Sequence, residues 1–94
     1  MNGRFLAEGA FFDARGLFVV HGQMLDGEPR IGQLAETKIG FRARVHGIEF
    51  IRLSGGKENL ALTFLPTTKD DVVGWVALQL VGGEIALRDR IDRA

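Results

Sequence analysis

The sequence predicts an all-β fold: a small closed antiparallel barrel of six or seven strands, one domain spanning residues 1–94. Three observations carry that expectation. Thirteen glycines against two prolines, with no serine-rich or proline-rich tract, describe many tight turns and no linker. Apolar and polar residues alternate with a period of two along several short runs, the pattern of half-buried strands. The stretch FVVHGQMLDGEPRIGQ, residues 18–33, places glycine at 22, 27 and 32, a spacing of five that carries the chain around successive turns. Short strands linked this way hide their edges by closing on themselves.

The opening segment MNGRFLAEGAFF holds one arginine, and its apolar run is broken by Glu8 and Gly9 before foldable sequence follows, so no signal peptide is expected. In LFVVHGQML, residues 17–25, Phe18, Val20 and Met24 share one face while Val19, His21 and Gln23 share the other. Gly22 falls on the inward face, where a missing side chain marks a sharp bend or the close approach of another backbone. Asp26-Gly27 is a turn signal, Pro29 limits the next segment to an edge or turn, and Ile31 returns to the core before Gly32. In FRARVHGIEFIRL, residues 41–53, Phe41, Ala43 and Val45 face one way and Arg42, Arg44 and His46 the other. After Gly47 the apolar residues resume one step out of phase as Ile48 and Phe50, which predicts a β-bulge or break at His46-Gly47. Ser54-Gly55-Gly56-Lys57 makes a turn, and NLALTFL, residues 59–65, is a further strand. Residues 66–71 are polar turn sequence. VVGWVALQLV, residues 72–81, is apolar on both faces; its four valines and tryptophan favour a strand over a buried helix. In residues 84–94, Ile85 and Leu87 point to a short strand with a frayed tail, although Glu84 to Arg88 and Asp89 to Arg93 have the spacing that supports a helix.

Composition narrows the function classes. A chain of 94 residues buries only about 60–65% of its unfolded surface, so its stability margin is thin. Without cysteine there is no disulfide, no thiolate nucleophile and no cysteine-based zinc site, which agrees with a reducing, cytoplasmic setting. No apolar run approaches the ~20 residues of a membrane-spanning helix. Twelve basic and twelve acidic side chains cancel, so attraction to nucleic acid or an anionic membrane has to come from a local patch.

The order of these segments resembles the second domain of elongation factor Tu and other translational GTPases, a six-stranded barrel. The residues that carry the likeness are Phe5, Glu8, Phe11, Arg15-Gly16, Val19-Val20, then Gly22, Gly27 and Ile31-Gly32. Val45-His46-Gly47-Ile48-Glu49 matches the family's next strand, and Gly74, Val76, Leu78, Leu80 and Gly82 match a third segment. The chain departs from the family in the extra residues between Phe50 and Val72 and in a closing strand present only as Leu87-Arg88-Asp89-Arg90-Ile91. In the member that carries aminoacyl-tRNA, a glutamate and an arginine three residues later help hold the acylated end. The resemblance therefore implies a binding role for Glu49 and Arg52, while the asparagine completing that pocket falls where this chain has Gly74-Trp75-Val76.

The remaining candidates come from the residues themselves. Arg42, Arg44 and His46 project from one strand face about 7 Å apart, a spacing that meets successive phosphates or a row of carboxylates. Trp75, with Val73 and Ala77, forms an apolar patch if it faces outward. His21 and His46 are the only histidines, too few for a metal site, and Asp70-Asp71 lies in a turn with no base or nucleophile beside it. No GxxxxGK[ST] loop exists, so nucleotide hydrolysis is not expected. The expectation is a binding module with no enzymatic activity and no cofactor, docking on a protein partner or forming a homodimer; the second expectation is an RNA- or ribosome-associated barrel.

Overall fold

The computed structural model describes residues 2–89, the side chain of Ala77 excepted. Its elements are β1 (Gly3–Phe12), β2 (Phe18–Asp26), β3 (Leu34–Glu36), β4 (Arg42–Arg44), β5 (Gly47–Arg52), β6 (Glu58–Phe64), α1 (Lys69–Ala77) and β7 (Glu84–Arg88). The strands form one antiparallel sheet in the order β4-β3-β7-β1-β2-β6-β5, curled into a half-barrel. The all-β expectation holds. Closure does not, because β4 and β5 stand at opposite edges with no ladder between them. These two edge strands are consecutive in the chain and meet at one point: the Val45 N–H donates to the Gln33 carbonyl just before β3 (2.8 Å), and the His46 N–H donates to Thr63 of β6 (2.7 Å).

The phase slip expected at His46-Gly47 is present. Gly47 is in register with Thr63 while His46 bonds the same residue, so two residues oppose one, the arrangement of a β-bulge. Beyond it Ile48 packs on the core, but Phe50, two residues on along the same face, is 73% exposed and does not join the core as expected. The glycine reading also finds its geometry. Gly27 and Gly32 have φ of 75° and 94°, in the left-handed region, and a Cβ on Gly22 would overlap the Leu6 carbonyl oxygen across the β1–β2 pair.

Residues 72–81 do not form a strand. The chain turns into α1 at Lys69, and the cause lies just upstream: Thr68 is extended (φ −139°, ψ 164°), its hydroxyl accepts from the Asp71 N–H, and the Asp71 carboxylate accepts from the Thr68 N–H. This reciprocal capping box satisfies two orphan N–H groups, and Asp70 and Asp71 place negative charge on the positive end of the helix dipole. The helix then lays Trp75 into the open side of the half-barrel, among Phe18, Phe41 and Phe64 at ring separations of 5.5, 5.3 and 6.4 Å. Trp75 is 8% exposed, so it is core instead of an outward patch; Val73 is exposed, and the Ala77 side chain lies outside the described set. β7 adds the expected short strand beside β1 and β3. The tail beyond Asp89, including Arg90, Ile91 and Arg93, lies outside the described residues.

One consequence is directly measurable. Gly74 sits inside α1, and a methyl group there would meet nothing within 4 Å. Gly74→Ala is expected to raise stability by about 0.5–1 kcal/mol, the helix cost of glycine relative to alanine. A lowered thermal midpoint would contradict the open surroundings of this position.

Candidate functional site

Four of the six expected site residues converge. β4 runs along the edge of the sheet, and its alternation sends Ala43 and Val45 toward the core and Arg42 and Arg44 to the surface. The bulge then turns His46 outward, and α1 brings Trp75 up from the other side. Together with Leu65, Thr67 and Asp71 these residues line a groove of about 440 Å³ between β4 and the β6–α1 connection. That volume lies within the ~300–1,000 Å³ of ordinary ligand sites.

The groove is polar on one wall and apolar on its floor. Arg42 reaches Glu36 at 3.4 Å, and Arg44 donates to the Gly32 carbonyl at 3.2 Å, with no carboxylate partner among the described residues. On the opposite wall the Asp71 carboxyl is held below the usual carboxylate range by hydrogen bonds from Thr67, through its N–H and hydroxyl, and from Thr68. All three bonds fall on one oxygen, Oδ2, which serves the helix cap. The floor is Val45 and the edge of Trp75.

Glu49 and Arg52 stand elsewhere and apart. Residues three apart on a strand point to opposite faces, so the spacing that suggests a joint pocket cannot deliver one on β5. Arg52 faces Glu58 across the ladder at 3.5 Å. Glu49 takes a two-pronged contact from Arg15 at 2.7 and 3.0 Å, and Arg15 also holds Asp13. Arg15 thereby ties the β1–β2 turn to β5 across the intervening strand β6.

This cluster has a pH signature. The Arg15 hydrogen bond holds the Glu49 carboxyl below its ordinary value. At Asp13, burial pushes upward but is outweighed by hydrogen bonds from the Arg15 side chain and the Leu17 and Arg15 N–H groups, so that carboxyl is lowered too. Both folded values lie below the unfolded ones. Their stabilisation is therefore present above the ordinary carboxylate range and lost as pH falls through the folded values. Arg15→Gln is expected to lower the denaturation midpoint at pH 7, with the difference from wild type shrinking as pH falls below the ordinary carboxylate range. A difference that persists in acid would assign the loss to packing of the Arg15 stem.

A second polar cluster carries no signal in the sequence pattern. Asn59 donates to Glu8 at 2.8 Å and sits 3.0 Å from His21 Nδ1, with Lys57 3.6 Å from the same carboxylate. Asn59 and Thr63 are buried on the face of β6 opposite Leu62 and Phe64, and Asn59 Oδ1 and Thr63 Oγ1 have no partner. With Asn59 donating, His21 Nδ1 accepts, which places the ring proton on Nε2. No serine or cysteine is part of this network, and its lysine, Lys57, is paired with Glu8. No group of three or more metal-ligating side chains occurs among the described residues, and no helix there is long and apolar enough to cross a membrane. Compared with known proteins, this chain matches no family model, no curated protein and no solved structure.

Proposed function

We propose that this protein is a non-enzymatic docking module, a translation-factor-like half-barrel of the cytoplasm that engages a protein partner through the groove between β4 and α1. The observation that supports it is the convergence of Arg42, Arg44, His46 and Trp75, contributed by a strand, a bulge and a helix, on one concave surface. Concave sites with an apolar floor and a few polar groups are where proteins bind. Here the one carboxylate on the wall, Asp71, spends its Oδ2 on capping α1, which supports binding over chemistry.

The test is capture by the tagged wild-type protein, in parallel with the double variant Arg42→Glu/Arg44→Glu. Capture of a defined protein by wild type alone is the expected result, and equal capture by both would overturn the groove as the docking site. Light scattering across a hundredfold dilution distinguishes a foreign partner from a second copy. The helix withdraws Trp75 from the surface, so of the apolar face that argued for a homodimer Val73 and Val81 are what stays exposed among the described side chains. The same cations serve the RNA-associated reading: strong heparin retention lost between low and moderate salt would favour phosphate over protein.

A further inference from the structure

β4 is a strand with one unused edge. Its pairing with β3 is anchored by the Thr37 N–H to Phe41 carbonyl bond at 3.0 Å and the Val45 N–H to Gln33 carbonyl bond at 2.8 Å. In an antiparallel ladder the bonded positions alternate, so 41, 43 and 45 turn their backbone groups toward β3. The N–H and C=O groups of Arg42 and Arg44 consequently point the other way, into the groove. An uncovered strand edge is a template for another strand.

We infer that this groove takes an extended acidic segment of the partner as an added strand paired with Arg42 and Arg44, an inference that rests on the docking reading above. Main-chain bonds to a sheet edge supply affinity, and side chains at alternate positions supply specificity. On the added strand, residues level with Arg42 and Arg44 share their face. Carboxylates there meet two guanidinium groups, one of them without an acidic partner among the described residues. Intervening residues point toward Trp75 and Leu65, which calls for aliphatic side chains. The occupant thus alternates acidic and aliphatic residues. RNA fits less well: the groove's tryptophan is buried among three phenylalanines and offers no open face for base stacking, which leaves the small His46 ring alone to stack on.

The probe is a synthetic peptide, Ser-Gly-Glu-Val-Glu-Val-Glu-Gly-Ser, titrated into the full chain and followed by amide NMR shifts and by the emission of the single tryptophan. Expected are shifts centred on residues 42–46 and binding at least tenfold tighter than that of the same peptide with lysine for glutamate. Two peptides N-methylated at alternate amides decide the pairing, because a strand uses only one set of its N–H groups: one should bind as well as the parent and the other at least tenfold more weakly. Arg44→Glu should weaken the parent at least tenfold, while the peptide variants keep the test independent of that protein's folding. Absent binding, equal binding of both methylated peptides, or tighter binding of a uridine decamer to the same residues would overturn strand addition. If the peptide fails while charge-sensitive capture of a partner persists, the docking reading stands alone; if capture fails as well, both fall.

Discussion

Trp75→Ala is expected to remove about 3–5 kcal/mol of stability, the usual cost of emptying a large aromatic site in a core. For 94 residues the whole folding free energy is about 5–14 kcal/mol, and a domain this small belongs toward the low end. The variant therefore sits near the limit of folding at room temperature. Trp75 holds this weight because α1 has no ladder to bind it to the sheet, and its rings' contacts with Phe18, Phe41 and Phe64 are what seat it. Val73→Ala and Val76→Ala, at side chains 70% and 60% exposed, should change stability by less than about 0.5 kcal/mol. Urea denaturation followed by circular dichroism measures all three. A loss at Trp75 no larger than at Val73 would mean that α1 does not dock on the sheet.

The contrast between Val73 and Trp75 also shows where sequence reasoning reached its limit. On a strand the two would share a face and a degree of burial; on the helix they do not. A short run such as Val-Val-Gly-Trp-Val carries no period that decides between the two. The deciding signal is the Thr68–Asp71 spacing just before it, which has the form of a capping box with aspartate in place of glutamate. β2 was legible because Phe18, Val20 and Met24 pack on the core while the opposite face carries the polar His21 and Gln23 beside a buried Val19. β1 was obscured by its bulge: Ala7 pairs with Gly22 and Gly9 with His21, so Glu8 is an extra residue and the inward set jumps from Phe5 and Ala7 to Ala10 and Phe12. β6 hid its polar cluster because it is buried on both faces, and alternation marks only strands with a wet side.

For the site, the row Arg42, Arg44, His46 could be read from spacing alone, since it lies on one strand. That Trp75 would meet it could not, because the meeting depends on α1 turning back over the open side of the half-barrel. The Glu49 and Arg52 pair failed for a local reason, the two-residue period of β5, and Arg15 is the partner that Glu49 found instead.

Gly22→Ala is the second large effect, expected to cost about 2–3 kcal/mol, the range for forcing extra volume into a closely packed place. Gly22 lies between Ala7 on β1 and Leu60 on β6, and its added methyl would run into the Leu6 carbonyl oxygen and come within 3.1 Å of the Glu8 N–H nitrogen. Both are backbone atoms of the bulge and cannot rotate away. The strand must move, and with it the register that sets Glu8 against Asn59. Two other glycines separate this mechanism from simpler ones. At Gly32, φ is 94° and nothing lies within 4 Å, so Gly32→Ala meets only conformational strain of about 1 kcal/mol. At Gly9 the methyl would strike the His21 ring, a side chain that yields by giving up its contact with Asn59, so the loss should fall between the other two. The predicted order of denaturation midpoints is therefore Gly32→Ala highest, Gly9→Ala next and Gly22→Ala lowest. If Gly22→Ala proves the mildest, the close approach of β1 and β2 at the bulge does not exist.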